Sequence, residues 1–253
     1  MGKIIVFANE KGGIGKTTSA VNIAACIGKR GKKVLLVDSD PQGNATSGVG
    51  ISKRTVKQGT YELLMGECTP DKAIIKTNFD NLDLIGSNIA LANAAYQLVS
   101  EENYNFLLKN ALNQISDQYD YIIVDCPPSL GILTVNALTA ADGVIIPMNC
   151  EFYSLEGLSQ MMLSIRQTKK SLNPQLEITG IIITMFDRRL NLTKQVLDEL
   201  KKYYHDKLLE PYVTRNVRLT EAPSFGEPII YFDKSSKGAV AYDKLAIEIM
   251  KRI

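Results

Sequence analysis

The stretch Glu10-Lys-Gly-Gly-Ile-Gly-Lys-Thr-Thr18 stands directly after the apolar run Ile4-Ile-Val-Phe-Ala8 and opens a segment of helical period near 16–29. A strand, a glycine-rich turn and a helix in that order form a phosphate-binding loop, whose usual pattern is G-x-x-x-x-G-K-[ST]. Gly15-Lys16-Thr17 match the end of the pattern, whereas Glu10 stands where the leading glycine is usual. Gly12, Gly13 and Gly15 permit a tight turn whose backbone N–H groups, that of Ile14 among them, converge on phosphate oxygens. The helix N-terminus adds a favourable potential for an anion. Lys16 is placed to reach the β and γ phosphates of a nucleotide, the Thr17 hydroxyl to ligate Mg²⁺, and Thr18 to support the α-phosphate. A purely structural glycine turn would not require Lys-Thr at that place.

Beyond this stretch, further Ile/Val-rich runs at 34–37, 82–85, 121–124, 144–146 and 178–183 read as short strands. Most lack polar alternation, as expected of strands covered on both faces. Helix-period segments lie near 101–116, 130–141, 154–171, 191–208 and 238–252, and residues 39–60 form the longest irregular stretch. The alternation predicts an α/β fold, a mostly parallel twisted sheet with helices on both faces, and the phosphate loop makes it P-loop NTPase-like. With no repeat, low-complexity tract or Pro/Ser-rich linker, 1–253 reads as one domain.

Two carboxylate positions follow strand ends. Val37-Asp-Ser-Asp-Pro-Gln-Gly-Asn44 leaves the second strand, and Tyr121-Ile-Ile-Val-Asp125 is an apolar strand ending in an aspartate. Ligands of open α/β sheets bind outside the carboxyl ends of the strands, which puts both near the phosphate loop. Asp125 has the Walker B placement, from which it would hold Mg²⁺ through water. Cys126 reads as a small buried hydrophobe.

Composition excludes other classes. The chain has 253 residues, 45% hydrophobic and 22% charged, which argues against disorder, collagen and coiled coil. No apolar run approaches the roughly 18 residues of a membrane span, and no signal-peptide pattern opens the chain. Cys26, Cys68, Cys126 and Cys150 are widely spaced and His205 is the one histidine, so neither a disulfide framework nor a zinc site is expected. These features predict a cytoplasmic protein. The formal charge is +2, yet residues 166–218 hold 11 basic against 6 acidic groups, a net of +5. Such a bias suits either solvated helix faces or a surface for nucleic-acid phosphates.

Lys11 is the departure that loop folding does not require. The arrangement Lys11-Gly-Gly-Ile-Gly-Lys-Thr-Thr18 resembles the deviant Walker A motif of the ParA/MinD superfamily of P-loop ATPases. Pro127-Pro-Ser-Leu-Gly131, Asn136-Ala-Leu138, Glu156-Gly-Leu158, Arg215-Asn-Val-Arg-Leu219 and Glu221-Ala-Pro-Ser-Phe-Gly226 extend the likeness over nearly the whole chain, toward its Soj-type chromosomal ParA members. The resemblance implies that Lys11 reaches the partner's phosphates in an ATP-sandwich homodimer, the role of an arginine finger elsewhere. It implies that 37–44 is switch I, with Asp40 orienting the attacking water and joining Thr17 and Asp125 around Mg²⁺, and that Gln42 through Ser47 rearrange with nucleotide state. Asp38 falls near the Mg²⁺ water shell or is structural. Lys11, Lys16 and Asp40 are thus the implied catalytic groups, and Thr214 and Asn216 line the adenine side, though many relatives have proline at the position of Thr214. Met185 either approaches the base or packs in the core.

The resemblance also implies non-specific binding of double-stranded DNA by ATP dimers. Arg189 and Arg218 match the positions that carry this, and Arg188, Lys194, Lys201 and Lys202 could extend the surface. The first strand opens at residue 4, so contact without an N-terminal helix-turn-helix is expected, with specificity left to a ParB-type centromere-binding partner that stimulates ATP hydrolysis. The expected role is segregation or positioning of a chromosome or plasmid, in the cytoplasm and on the nucleoid. A MinD-like membrane ATPase would need an amphipathic tail beyond Tyr242-Asp-Lys-Leu-Ala-Ile-Glu-Ile-Met-Lys-Arg-Ile253, which reads as a core helix, so no membrane partner is expected. An electron-transfer ATPase like the nitrogenase iron protein would need two cluster cysteines per subunit, which Cys126 and Cys150 do not match. A metabolic P-loop ligase or kinase would need a small-molecule constellation that the sequence does not present.

Overall fold

The structure, a computed structural model, describes residues 2–100 and 103–253. Its frame is an eight-stranded sheet of order β3-β4-β2-β5-β1-β6-β7-β8. The strands are β1 (Lys3–Phe7), β2 (Val34–Asp38), β3 (Ile74–Lys76), β4 (Leu82–Ile85), β5 (Tyr121–Asp125), β6 (Gly143–Asn149), β7 (Glu177–Thr184) and β8 (Leu208–Leu209). Only β3 runs antiparallel, against β4. The register sets Phe7 and Asp38 each opposite Asp125, so β1, β2 and β5 end at one level. That level is where the order reverses around β1, the place where an open α/β sheet receives a ligand.

Apolar side chains alternate between two cores because successive strand residues face opposite ways. Ile4, Val6, Leu35, Val37, Ile122, Val124 and Val144 face the helices Leu107–Asn113, Ile132–Ala140, Phe152–Ser171 and Asn191–Tyr204. Ile5, Phe7, Val34, Leu36, Ile123 and Ile145 face helix α1 (Lys16–Lys29) and the helix Lys237–Arg252. Each fully buried Ile or Leu of this kind contributes roughly 1.5–3 kcal/mol. Tyr242 joins the second core with its hydroxyl 3.1 Å from Ser19 Oγ, and Asn22 Oδ1 accepts from Ile229 N at 2.6 Å. The C-terminal helix therefore packs on α1 through Tyr242, Leu245 and Ile249, as the core reading of this segment expects.

All six expected strands are present. Two more, β3 and β8, form the sheet edges; they are three and two residues long, too short for a periodic signal. The expected helix 191–208 ends at Tyr204, and its last residues become a 3₁₀ turn and β8. Of the expected helix 101–116, Glu101 and Glu102 lie outside the described residues; a 3₁₀ turn at Tyr104–Phe106 leads into Leu107–Asn113. The irregular stretch 39–60 holds the short helix α2 (Asn44–Gly48), entered through Gly43 at φ 62°. A Cβ there would sit 2.9 Å from the Ser87 carbonyl oxygen, so this position requires glycine. Among the described residues, no helix is long and apolar enough to cross a membrane.

Candidate functional site

The loop between β1 and α1 is built by its glycines and by Thr184. Gly13 and Gly15 adopt φ 70° and 83°, where side-chain-bearing residues are strained. Thr184, ending β7, donates from Oγ1 to the Ile14 carbonyl at 2.7 Å and fixes the loop's crest. Gly15 caps α1 with no side-chain partner, and the first turn holds no acidic residue. The leading N–H groups of α1 thus stay available to an anion. Lys16 is buried and donates from Nζ to the Lys11 carbonyl at 2.7 Å. Burial lowers its pKa, against the pull of the Asp125, Cys126 and Asp40 charges. A buried ammonium held only by a carbonyl is prepared to exchange that contact for a phosphate oxygen.

Three carboxyl groups face this loop. Asp125 is fully buried and neither of its oxygens has a hydrogen-bond partner of good geometry. Burial, and then the Asp38 charge, hold its pKa well above the carboxylate range, with the Thr17 hydroxyl and Lys16 opposing. Asp38 is also fully buried, yet it is satisfied: Oδ2 accepts from Thr46 N (2.7 Å) and Thr46 Oγ1 (2.6 Å), and Oδ1 accepts from Asp40 N (3.1 Å). Burial pushes its pKa up to about 6. Because the folded value is raised, this carboxyl opposes folding increasingly as pH rises from about 4 to about 6, and the penalty is complete above that. Asp38 thus braces the loop that follows it. Asp40 accepts from Gln42 N at 2.9 Å, closing the turn that leads into α2.

An unsatisfied buried carboxyl group beside a threonine hydroxyl fits a divalent cation, whose charge would favour its ionised form. Among the described residues no three His, Cys, Asp or Glu side chains form a metal cage. Mg²⁺ needs none, since it is held by one or two protein oxygens, water and substrate phosphates. Asp125 and Thr17 are the residues suited to it, with Asp40 nearby.

Lys11 points the other way from Lys16. Its Nζ pairs with Glu151 Oε2 at 2.7 Å and donates to Ser154 Oγ at 3.3 Å, at the junction of β6 and the helix Phe152–Ser171. The exposed Phe152 and Tyr153 rings stand beside this pair, edge to face. On the far side of the loop, Gly15, Thr18, Met185, Thr214, Asn216 and Tyr242 help to line a cavity of about 530 Å³, large enough for a purine nucleoside. Met185 enters it at φ 50°, and Asn216 Oδ1 is engaged in capping Arg218 N. Arg189 is exposed and forms a two-point pair with Asp187, which holds the Asp187 carboxyl down to about 2. Arg218 pairs with Glu221 and Asp233 and lies over the Phe232 ring.

The strand-end argument put Asp40 and Asp125 near the loop, and the resemblance added Thr214 and Asn216. In the structure Asp40 and Asp125 lie close enough to act on Lys16, and Thr214 and Asn216 line one cavity with Gly15 and Thr18. Sequence reading missed Thr46, Thr184 and Glu151, whose partners lie 8, 170 and 140 residues away along the chain. A signal for Thr184 lay in its place directly after the apolar run Ile181-Ile-Ile183.

Comparison with known proteins adds a family. A model of the AAA domain matches residues 2–178. The sporulation initiation inhibitor protein Soj of Bacillus subtilis is 52% identical over 249 residues, covering 98% of each chain. Cobyrinic acid a,c-diamide synthase of Mycobacterium smegmatis, solved with ADP and magnesium, superposes with TM-score 0.86 at 34% identity, covering 99% of this chain and 95% of the other. A plasmid partition protein of Borrelia burgdorferi, described as putative and solved with AMPPNP, gives TM-score 0.86 at 33% identity over 100% of both chains.

Proposed function

The chain belongs to the ParA/Soj family of P-loop ATPases, and on that basis we propose that it is an ATP-dependent switch for segregating a chromosome or plasmid. The loop N–H groups and Lys16 hold the β and γ phosphates, Thr18 the α-phosphate, and the cavity lined by Thr214 and Asn216 takes the adenine. Mg²⁺ at Asp125 and Thr17 supplies charge neutralisation on the phosphates. Two ATP-loaded protomers close face to face, each giving Lys11 to the other's triphosphate, and Asp40 orients the water that attacks the γ-phosphorus. The closed dimer grips DNA through Arg189 and Arg218, and a ParB-type partner accelerates hydrolysis to ADP and phosphate. The protein works in the cytoplasm, on the nucleoid. Identity to Soj well above that to the cobyrinic acid synthase favours this reading over a ligase.

The observation that carries it is the opposed aim of the two lysines. Lys16 turns into its own loop, while Lys11 Nζ is held outside it by Glu151. A cation built into a phosphate loop but directed out of it suits a phosphate that arrives on another molecule. Glu151→Gln removes the restraint. Exposed ion pairs are worth up to about 1 kcal/mol, so ATP-dependent association should tighten by up to about fivefold per protomer. Sedimentation velocity reads this; weaker association would show that Glu151 promotes pairing instead.

DNA binding is tested by Arg189→Glu. Loss of one phosphate contact per protomer should weaken binding of any duplex and lower the salt slope by about 2 in the dimer. ATP-dependent dimers should persist on gel filtration. If the dimers vanish with the DNA affinity, Arg189 belongs to the dimer contact and not to the DNA surface.

A further inference from the structure

The loop that carries Asp40 is closed at its base by one residue. Thr46, in α2, reaches back to Asp38 with two donors, its N–H and its hydroxyl, both ending on Oδ2. The same hydroxyl oxygen accepts from Ser87 N at 2.9 Å, just beyond β4. Asp38 in turn holds the Asp40 N–H through Oδ1, and its own carbonyl accepts from Thr60 Oγ1 at 2.6 Å. Thr46 is wholly buried, and its methyl packs toward Gly86, where a Cβ would stand 3.3 Å from it. The backbone from 38 to 46 is therefore a ring locked by a hydroxyl that simultaneously anchors it to the neighbouring strand. Asp40 sits on the rim of that ring. Its carboxylate accepts from Gln42 N, and its carbonyl accepts from Gly43 N at 2.9 Å.

We propose that Thr46 is a positioning residue for hydrolysis: its hydroxyl, shared between Asp38 Oδ2 and Ser87 N, sets where the Asp40 carboxylate stands. The inference rests on Asp40 orienting the attacking water. The hydrogen bonds of Thr46 go to Asp38 and Ser87 and not to the phosphate loop, and Thr46 is not among the residues lining the base cavity. Displacement of a catalytic group by about 1 Å lowers turnover by up to about 100-fold, which gives the hydroxyl considerable leverage.

The test is Thr46→Val, which keeps shape and the backbone donor but deletes the hydroxyl, beside Thr46→Ser, which keeps the hydroxyl and deletes the methyl. With the full chain, ATP, Mg²⁺ and DNA, Thr46→Val should lower kcat by about tenfold or more, with KM and the ATP-analogue Kd within about threefold of the parent. Thr46→Ser should keep kcat within about threefold. An unchanged kcat in Thr46→Val overturns the proposal. So does a parallel loss of kcat and nucleotide affinity, or a Thr46→Ser as impaired as Thr46→Val, since either marks a merely structural role. Should Thr46→Val fail to fold, Thr46→Cys, whose thiol is a weak donor, is read by the same comparison. Asp40→Ala measured in parallel separates the two layers: normal hydrolysis there removes the Asp40 assignment, whereas its loss alongside a normal Thr46→Val removes only the Thr46 inference.

Discussion

Lys16→Ala is expected to abolish every nucleotide-dependent property while leaving the apo fold intact. Hydrogen bonds to charged groups are worth about 1.5–3 kcal/mol each, and the ammonium would serve two phosphates. Losing both weakens ATP binding by roughly 10²–10⁴-fold. The fold should not suffer, because among the described residues the buried Lys16 forms no ion pair and its Nζ donates to the Lys11 carbonyl. Its lowered pKa says the same: the protein holds this charge at a desolvation penalty that alanine removes. Isothermal titration with ATP and a thermal melt distinguish the outcomes. Binding within tenfold of the parent would refute the assignment of Lys16, and a collapsed melting curve would make it a structural residue.

Asp40→Ala should separate binding from turnover. A positioned base contributes about 10²–10⁴-fold to such a step, so phosphate release should fall by that order. The phosphate loop, Asp125 and the base cavity are untouched, so the ATP-bound dimer should accumulate on gel filtration and stay on DNA. The turn loses one hydrogen bond, Asp40 to Gln42 N, worth about 0.5–1.5 kcal/mol, too little to unfold α2 and its surroundings. An Asp40→Ala protein that hydrolyses ATP at the parent rate would withdraw Asp40 from the chemistry.

These expectations were legible in the sequence to different depths. The phosphate loop could be read because its parts are contiguous and their spacing is dictated by the size of a phosphate. The central strands could be read because burial on both faces makes them rich in Ile, Val and Leu. The edge strands Ile74–Lys76 and Leu208–Leu209 could not, since two or three residues carry no period. Neither could α2, which exists because Thr46 and Gly43 satisfy local hydrogen bonds and not because it has an apolar face. The resting place of Lys11 was also hidden. Spacing says that a second lysine is present, but only the fold brings Glu151 within 2.7 Å of it. The same holds for Arg189 and Arg218, matched by resemblance to DNA-contact positions and found in ion pairs with Asp187, Glu221 and Asp233.

The brevity of β3 and β8 has a bearing on crowding. Unpaired edge strands expose a sheet protein to lateral strand pairing between copies, which ends in fibres. Here one rim of the sheet offers three residues and places Lys76 on them, and the other offers two before Glu210-Pro211. Neither is a template on which a neighbour's backbone could zip. Both edges of the sheet therefore disfavour strand-to-strand association between copies.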